Sequence, residues 1–174
     1  MYHNIPIGDR APEIVNAIVE IPQGSNNKYE FDHELEVFKL DRTLYSPLYY
    51  PFDYGWVCDT LADDGDPLDI LVITSQPTFP GCLIEARPLG ILMMRDDKGP
   101  DEKILAVAAA DPRFRGMSHL SDLPPHILKE IVHFFDIYKE LEEKQTMVLG
   151  WQDVDSAYEV IRKFRLDSIP PLEG

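Results

Sequence analysis

The sequence predicts a mainly β chain carrying two helices, an α+β domain, from two observations. The first two-thirds break into short β-branched or alternating runs separated by Gly, Pro, Asn and Asp. The final third changes to the three-to-four-residue spacing of amphipathic helices. With 174 residues, 44% of them hydrophobic and 27% charged, the chain has a globular composition. Domains run roughly 100–200 residues, so residues 1–174 are expected to form a single domain, with a loose tail at about 169–174.

Taken in order, residues 14–21 are largely apolar and stop at Pro22, and the turn-forming Gly24-Ser25-Asn26-Asn27 follows. Residues 28–32 alternate Tyr29 and Phe31 against Lys28 and Glu30, the period of a strand, which places Lys28 and Glu30 on one face. Residues 32–36 are polar apart from Leu35 and read as a turn, and residues 37–42 as another short strand. Tyr50-Pro51-Phe52-Asp53-Tyr54-Gly55 reads as a stiff turn flanked by two phenols. Residues 69–74 form a β-branched, buried strand. Residues 83–94 and 103–110 are strands on either side of a turn at 96–101. Such short, punctuated strands indicate a barrel or a sandwich. Then Ile127, Ile131, Phe134, Phe135, Tyr138 and Leu141 share one helical face, with Asp122 as its cap and Pro124 or Pro125 in its first turn. Residues 147–151 read as a short strand. Residues 153–165 form a second helix with Ala157, Val160, Ile161 and Phe164 inward.

Charge narrows the function. Sixteen Lys and Arg against 31 Asp and Glu give a formal charge of −15. Such a surface repels nucleic-acid phosphates, whose binding depends on Lys and Arg, and it disfavours anionic membranes. Cys58 and Cys82 have no metal-ligand spacing and read as free thiols in a reducing compartment. The first ten residues lack a basic segment followed by an apolar run. The apolar run at 104–110 is far short of the ~20 residues that span a bilayer. A cytoplasmic location is expected.

The acidic turn Asp64-Gly65-Asp66-Pro67-Leu68-Asp69 carries the chemistry. Asp63, Asp64, Asp66 and Asp69 crowd into seven residues ahead of a buried strand. Two carboxylates about 4 Å apart repel by about 4 kcal/mol at an effective dielectric near 20. Pro67 stiffens the turn, so the charges require water, protons or cations. Hard oxygen donors suit Mg²⁺ or Mn²⁺. A solvated surface turn is the plain alternative, since Asp and Gly are ordinary turn formers. An EF-hand starting at Asp64 fails, because Asp69 stands where Gly is required and Ser75 where Glu is. A haloacid-dehalogenase-like Asp64-x-Asp66 pair would follow a buried strand, whereas residues 60–63 are turn-like.

A phosphate enzyme also needs cations for the substrate oxygens. Lys28 shares a strand face with Glu30, Arg42 follows Asp41, and Lys103 is two residues from Asp101 across a hairpin from Asp96. Tyr138-Lys139 comes late in the long helix. Singly, each reads more simply as a solvated charge or a packed phenol. No P-loop, GxSxG, HExxH or paired CxxC occurs, and His3, His33, His119, His126 and His133 have no zinc spacing.

Together these residues resemble the soluble family I inorganic pyrophosphatases of the shorter bacterial or plant type. The resemblance rests on DGDPLDI at residues 64–70 and on Val19-Glu20-Ile21-Pro22, Lys28-Tyr29-Glu30, Asp41-Arg42, Tyr50-Pro51, Tyr54-Gly55, Arg87-Pro88 with Gly90, Asp96, Asp101 with Lys103, and His133-Phe134-Phe135 with Tyr138-Lys139. Order and spacing hold over residues 5–165. The resemblance implies a five-stranded, OB-like closed β-barrel with two flanking helices, and Mg²⁺-dependent hydrolysis of pyrophosphate, with Mn²⁺ or another divalent ion possible. It implies Asp64, Asp69 and Asp101 as ligands of the tighter metals. Asp96 with Asp101, and Glu20 more distantly, would hold metals that arrive with substrate. Lys28, Arg42, Tyr54, Lys103, Tyr138 and Lys139 would grip the two phosphoryl groups, with Tyr50 and Glu30 supporting. Asp66, between two such ligands, is the expected general base toward a metal-activated water. No covalent nucleophile is then needed.

Residues 111–119 depart from the family pattern and are expected to form a variable loop. His133 and the pair Phe134-Phe135 resemble positions at which the bacterial type forms a hexamer, so a homohexamer is expected. The alternative from another class is an inactive divalent-cation-binding module of OB type. Five phosphate-type partners (Lys28, Arg42, Lys103, Tyr138, Lys139) have no use in such a module.

Overall fold

A computed structural model describes residue 2 and residues 5–166. The expected tail at 169–174 and His3 lie outside the described residues. The strands are β1 (Val15–Ile21), β2 (Asn27–Asp32), β3 (Val37–Thr43), β4 (Asp53–Val57), β5 (Asp69–Ile73), β6 (Leu83–Asp96), β7 (Gly99–Pro100), β8 (Lys103–Ala108) and β9 (Met147–Gln152). The helices are α1 (Pro125–Ile137) and α2 (Val154–Phe164). Strand β1 pairs with β4 and β6, β4 with β5, β5 with β8, and β8 with β6, which closes a ring of five strands. Only β5–β8 is parallel. The hairpin β2–β3 forms a separate two-stranded sheet, and β9 pairs with the far half of β6.

The period of two in the strands divides the apolar residues between two clusters. Ile70 and Val72 of β5 join Val15, Ala17 and Val19 of β1, Ile104 and Ala106 of β8, and Ala157, Ile161 and Phe164 of α2. Leu71 and Ile73 join Leu105 and Val107 of β8, and Ile131, Phe134 and Phe135 of α1. Each helix thus covers a different apolar cluster. Full burial of one such Leu, Ile or Phe side chain contributes about 1.5–3 kcal/mol.

Three expectations are corrected. The stiff turn ends in a strand: β4 begins at Asp53 and runs through Tyr54 and Gly55. Glycine is required there, because a Cβ on Gly55 would lie 1.8 Å from the Ile18 carbonyl oxygen of β1. Gly55→Ala forces the ring apart at its β1–β4 seam. It is expected to cost at least about 3 kcal/mol, the upper end for overpacking, which denaturant unfolding measures. Second, Asp122 does not cap α1. Its carboxylate accepts from the Ser118 and His119 amides (2.8 and 2.9 Å), and Pro124 holds the cap position. Third, α1 ends at Ile137, so Leu141 is exposed and Tyr138 sits buried at the C-cap. Glu140, Glu142 and Glu143 would oppose the helix dipole if the helix continued. Thr146 Oγ1 instead donates to the Phe135 carbonyl at 2.8 Å. Phe134 and Phe135 face the core, leaving only His133 of that trio exposed.

The second helix forms as expected, over Val154–Phe164, and Asp153 caps it through the Ser156 amide at 3.1 Å. Cys58 and Cys82 are free, and burial, with Asp59 nearby, pushes the Cys58 thiol up to about 12. Among the described residues no helix is long and apolar enough to cross a membrane.

Candidate active site

A cleft of about 600 Å³ gathers every residue expected at the site. A register shift between Val19 and Ile21 marks a bulge at Glu20, where a side chain leaves the regular alternation of β1. Glu20 Oε1 then accepts the Phe31 amide at 2.9 Å, which ties the β2–β3 hairpin to the ring. The hairpin brings Lys28 and Glu30 from β2, and Asp41 and Arg42 from β3. Tyr54 enters from β4, Tyr50 from the segment just before it, and Asp96 from the end of β6. Tyr138 and Lys139 enter from just beyond α1.

The acidic turn is built for rigidity. Gly65 adopts φ +89°, a left-handed conformation open to glycine. The Asp66 amide donates to Asp64 Oδ1 at 3.1 Å, and the Ala62 amide to the Asp66 carbonyl at 2.7 Å. At the base, buried Thr60 donates its hydroxyl to the Val57 carbonyl (2.7 Å) and accepts the Leu68 amide (3.0 Å). Asp64 and Asp66 therefore stand at the exposed lip, while Asp69 opens β5 half-buried. Asp63 points away and pairs with Lys163 at 3.3 Å.

Lys103 is the centre of the charge array. Its side chain is only 2% exposed, and its Nζ lies 2.6 Å from Asp69 and 2.7 Å from Asp101. The parallel register that pairs Asp69 with Lys103 sets these two residues side by side. Burial alone would lower the ammonium pKa, but Asp69 and Asp101 outweigh it and hold Lys103 charged, above its ordinary value. The rings of Tyr54 and Phe135 lie beneath it, each centroid 5.5 Å away. Burial first, then nearby carboxylates and phenols, pushes Tyr54 well above the ordinary tyrosine value. Burial does the same for Tyr50. Both phenols keep their protons and remain donors.

Other cations are also partnered. Lys28 pairs with Glu30 and lies 3.5 Å from Asp41; Lys139 lies 3.3 Å from Asp96. Burial would raise Asp96, but the Lys98 amide and Lys139 overcome it and lower its pKa. The carboxylates without such relief move the other way. Desolvation, with Asp69 and Glu30 adding, raises Glu20 to about 7 against the Phe31 amide and Lys28. Partial desolvation, then Asp64, raises Asp66, with Lys98 opposing.

Residues to which the sequence assigned no role also line the cleft: Asp41, Asp97, Lys98 and Lys144 among them. Polar surface runs gave no signal for them. In all, nine carboxylates (Glu20, Glu30, Asp41, Asp64, Asp66, Asp69, Asp96, Asp97, Asp101) face six Lys and Arg side chains and three phenols. Among the described residues no three acidic, His or Cys side chains converge as a ready-made cage. The donor set still fits hard divalent cations: all oxygens, more anions than cations, and burial, with like-charge repulsion adding, that raises Glu20 and Asp66. Carboxylates suited to cations, and guanidinium, ammonium and phenol groups suited to phosphoryl oxygens, define the class: a phosphohydrolase.

The particular family follows from comparison with known proteins. The profile of the family described as inorganic pyrophosphatase matches residues 17–167, and the chain belongs to that family. It is 59% identical over 144 residues to the inorganic pyrophosphatase of Nostoc sp., covering 83% of this chain and 85% of that protein. It is 53% identical over 151 residues to that of Methanosarcina acetivorans, covering 87% and 90%. The crystal structure of inorganic pyrophosphatase from Thermus thermophilus superposes with a TM-score of 0.92 at 43% identity, covering 95% of this chain and 97% of that one.

Proposed function

We propose that this cleft hydrolyses inorganic pyrophosphate to two orthophosphates. The carrying observation is the joint presence in one cleft of excess carboxylates and of Lys28, Arg42, Lys103 and Lys139. Asp64, Asp69 and Asp101 would hold the tighter Mg²⁺ ions, and Asp96 and Glu20 would serve ions that accompany substrate. Bound Mg²⁺ supplies Lewis-acid charge that lowers the pKa of an attacking water and offsets charge developing on phosphoryl oxygens. Asp66 orients that water and takes its proton; its raised pKa brings it nearer the working pH of a general base. Lys28, Arg42 and Lys139 hold the phosphoryl oxygens electrostatically, and Lys103, Tyr54 and Tyr138 complete the cradle from its buried side. Tyr50 and Glu30 support them: the Tyr50 ring packs 5.5 Å from that of Tyr54, and Glu30 pairs with Lys28.

Purified protein is expected to release phosphate from pyrophosphate as Mg²⁺ is titrated in, with ATP assayed in parallel, and to stop on chelation by EDTA. Absence of release at saturating Mg²⁺ would leave the inactive cation-binding module. We also propose a homohexamer, which exposed His133 and exposed Met147 and Leu149 on β9 support and sedimentation velocity tests. The free thiols of Cys58 and Cys82 support a reducing, cytoplasmic setting.

A further inference from the structure

Glu142 has no part in the assignments above, yet its carboxylate is the most sheltered of those that bind the cleft's cations. Its side chain is 4% exposed, against 30% for Asp69 and 18% for Asp101. Sheltering a carboxylate so fully is unfavourable unless charged partners compensate. Glu142 has two such partners: Arg42 Nε donates to Oε1 at 2.9 Å, and Lys144 Nζ lies 3.7 Å from Oε2. The bond to Arg42 spans 100 residues of sequence.

The location of this bond gives it consequence. Arg42 sits on β3, in the hairpin that also carries Lys28. Glu142 closes the short 3₁₀ turn Glu140–Glu142, which follows directly on Tyr138 and Lys139. The Glu142 amide donates back to the Lys139 carbonyl at 3.0 Å, so carboxylate and lysine belong to one tight turn. The Arg42–Glu142 pair therefore straps one phosphate-binding wall of the cleft to the other. It also fixes the guanidinium. Nε is held by Glu142 and Nη1 by Asp41 at 2.5 Å, on two sides of a planar group with five donors. Without Glu142, Arg42 keeps, among the described residues, only Asp41, which it shares with Lys28.

We propose that Glu142 is a positioning residue for substrate binding: it sets the plane of the Arg42 guanidinium and locks the β2–β3 hairpin to the Tyr138-Lys139 wall. This rests on the reading that Arg42 grips a phosphoryl group of pyrophosphate. The test is steady-state pyrophosphate hydrolysis with Mg²⁺ by wild type, Glu142→Gln, Arg42→Ala and the double variant, with unfolding midpoints alongside. Glu142→Gln is expected to raise KM about tenfold and change kcat less than about threefold, as when binding shared by ground and transition states is lost. Arg42→Ala raises KM at least as much, and adding Glu142→Gln to it raises KM no further. A purely structural Glu142 would shift the unfolding midpoint without this non-additivity.

Unchanged KM in Glu142→Gln overturns the proposal, as do KM effects that multiply in the double variant. Should Glu142→Gln fail to fold, Glu142→Asp keeps the charge while withdrawing the oxygens from Nε; it must raise KM, and wild-type KM there also overturns the proposal. Unchanged KM in Arg42→Ala removes the Arg42 assignment and this proposal with it, while wild-type turnover leaves the pyrophosphatase reading standing. A wild type that releases no phosphate is the distinct failure of that reading.

Discussion

Replacing Asp66 by Asn lowers kcat for pyrophosphate hydrolysis by about 10²–10⁴-fold, the range for loss of a positioned general base. That corresponds to about 3–5 kcal/mol of transition-state stabilisation. The substitution is nearly isosteric, and the turn holds residue 66 by its backbone: its carbonyl accepts the Ala62 amide and its amide donates to Asp64 Oδ1, both of which Asn retains. The turn should therefore keep its shape. Folding stability should hold or rise slightly, because one of several mutually repelling carboxylates is removed beside Asp64 and Asp69. Mg²⁺ titration separates base from ligand. A variant lacking only the base saturates at Mg²⁺ concentrations close to wild type but turns over slowly. A variant whose activity recovers at high Mg²⁺ would make Asp66 a metal ligand and overturn its role as base.

Much of this site was legible because its groups are close in sequence or carried by strongly patterned strands. The acidic turn packs four aspartates ahead of the β-branched run that becomes β5, and local chemistry suffices to mark it. Lys103 and Asp101 are two residues apart, so their closeness was visible in the sequence. What escaped depends on contacts distant in sequence. The strand β4 was hidden because Pro51 and Gly55 are turn-forming residues; Gly55 is there for the close approach of β1, which no local pattern reveals. Asp53 is fully buried and accepts from the Gln23 amide (2.8 Å) and the Thr78 hydroxyl (2.7 Å), yet in sequence it is an unremarkable acid in a loop. Glu142 lies in the charged run Glu140 to Lys144, which looks like the solvated end of a helix; only the fold brings Arg42 to it. The basic and phenolic residues were individually ambiguous, and the family pattern, not their spacing, gave them roles.

Replacing Lys103 by Met is expected to damage stability and catalysis together. The two side chains are similar in length, and the Met thioether can pack against the Tyr54 and Phe135 rings over which the ammonium sits. What is lost is a buried positive charge that bonds Asp69 and Asp101 at once. Breaking a buried ion pair costs about 3–5 kcal/mol, because the surviving charge is left uncompensated. Asp69 and Asp101 keep partial access to water, which places the expected loss near the lower figure, about 3 kcal/mol. For a chain of this size that lowers the unfolding midpoint by roughly 6–12 °C. The loss should depend on divalent cations in a way that a simple packing defect does not. With Lys103 absent, Asp69 and Asp101 repel each other and have more to gain from an added cation. Mg²⁺ should therefore raise the midpoint of Lys103→Met more than that of wild type, and EDTA should widen the gap between them. Equal Mg²⁺ responses in the two proteins would show that these carboxylates do not share a cation, and would remove Asp69 and Asp101 from the proposed metal ligands. Activity should fall even where Mg²⁺ restores the fold, since a cation placed among the carboxylates does not replace the ammonium that Lys103 presents to a phosphoryl oxygen.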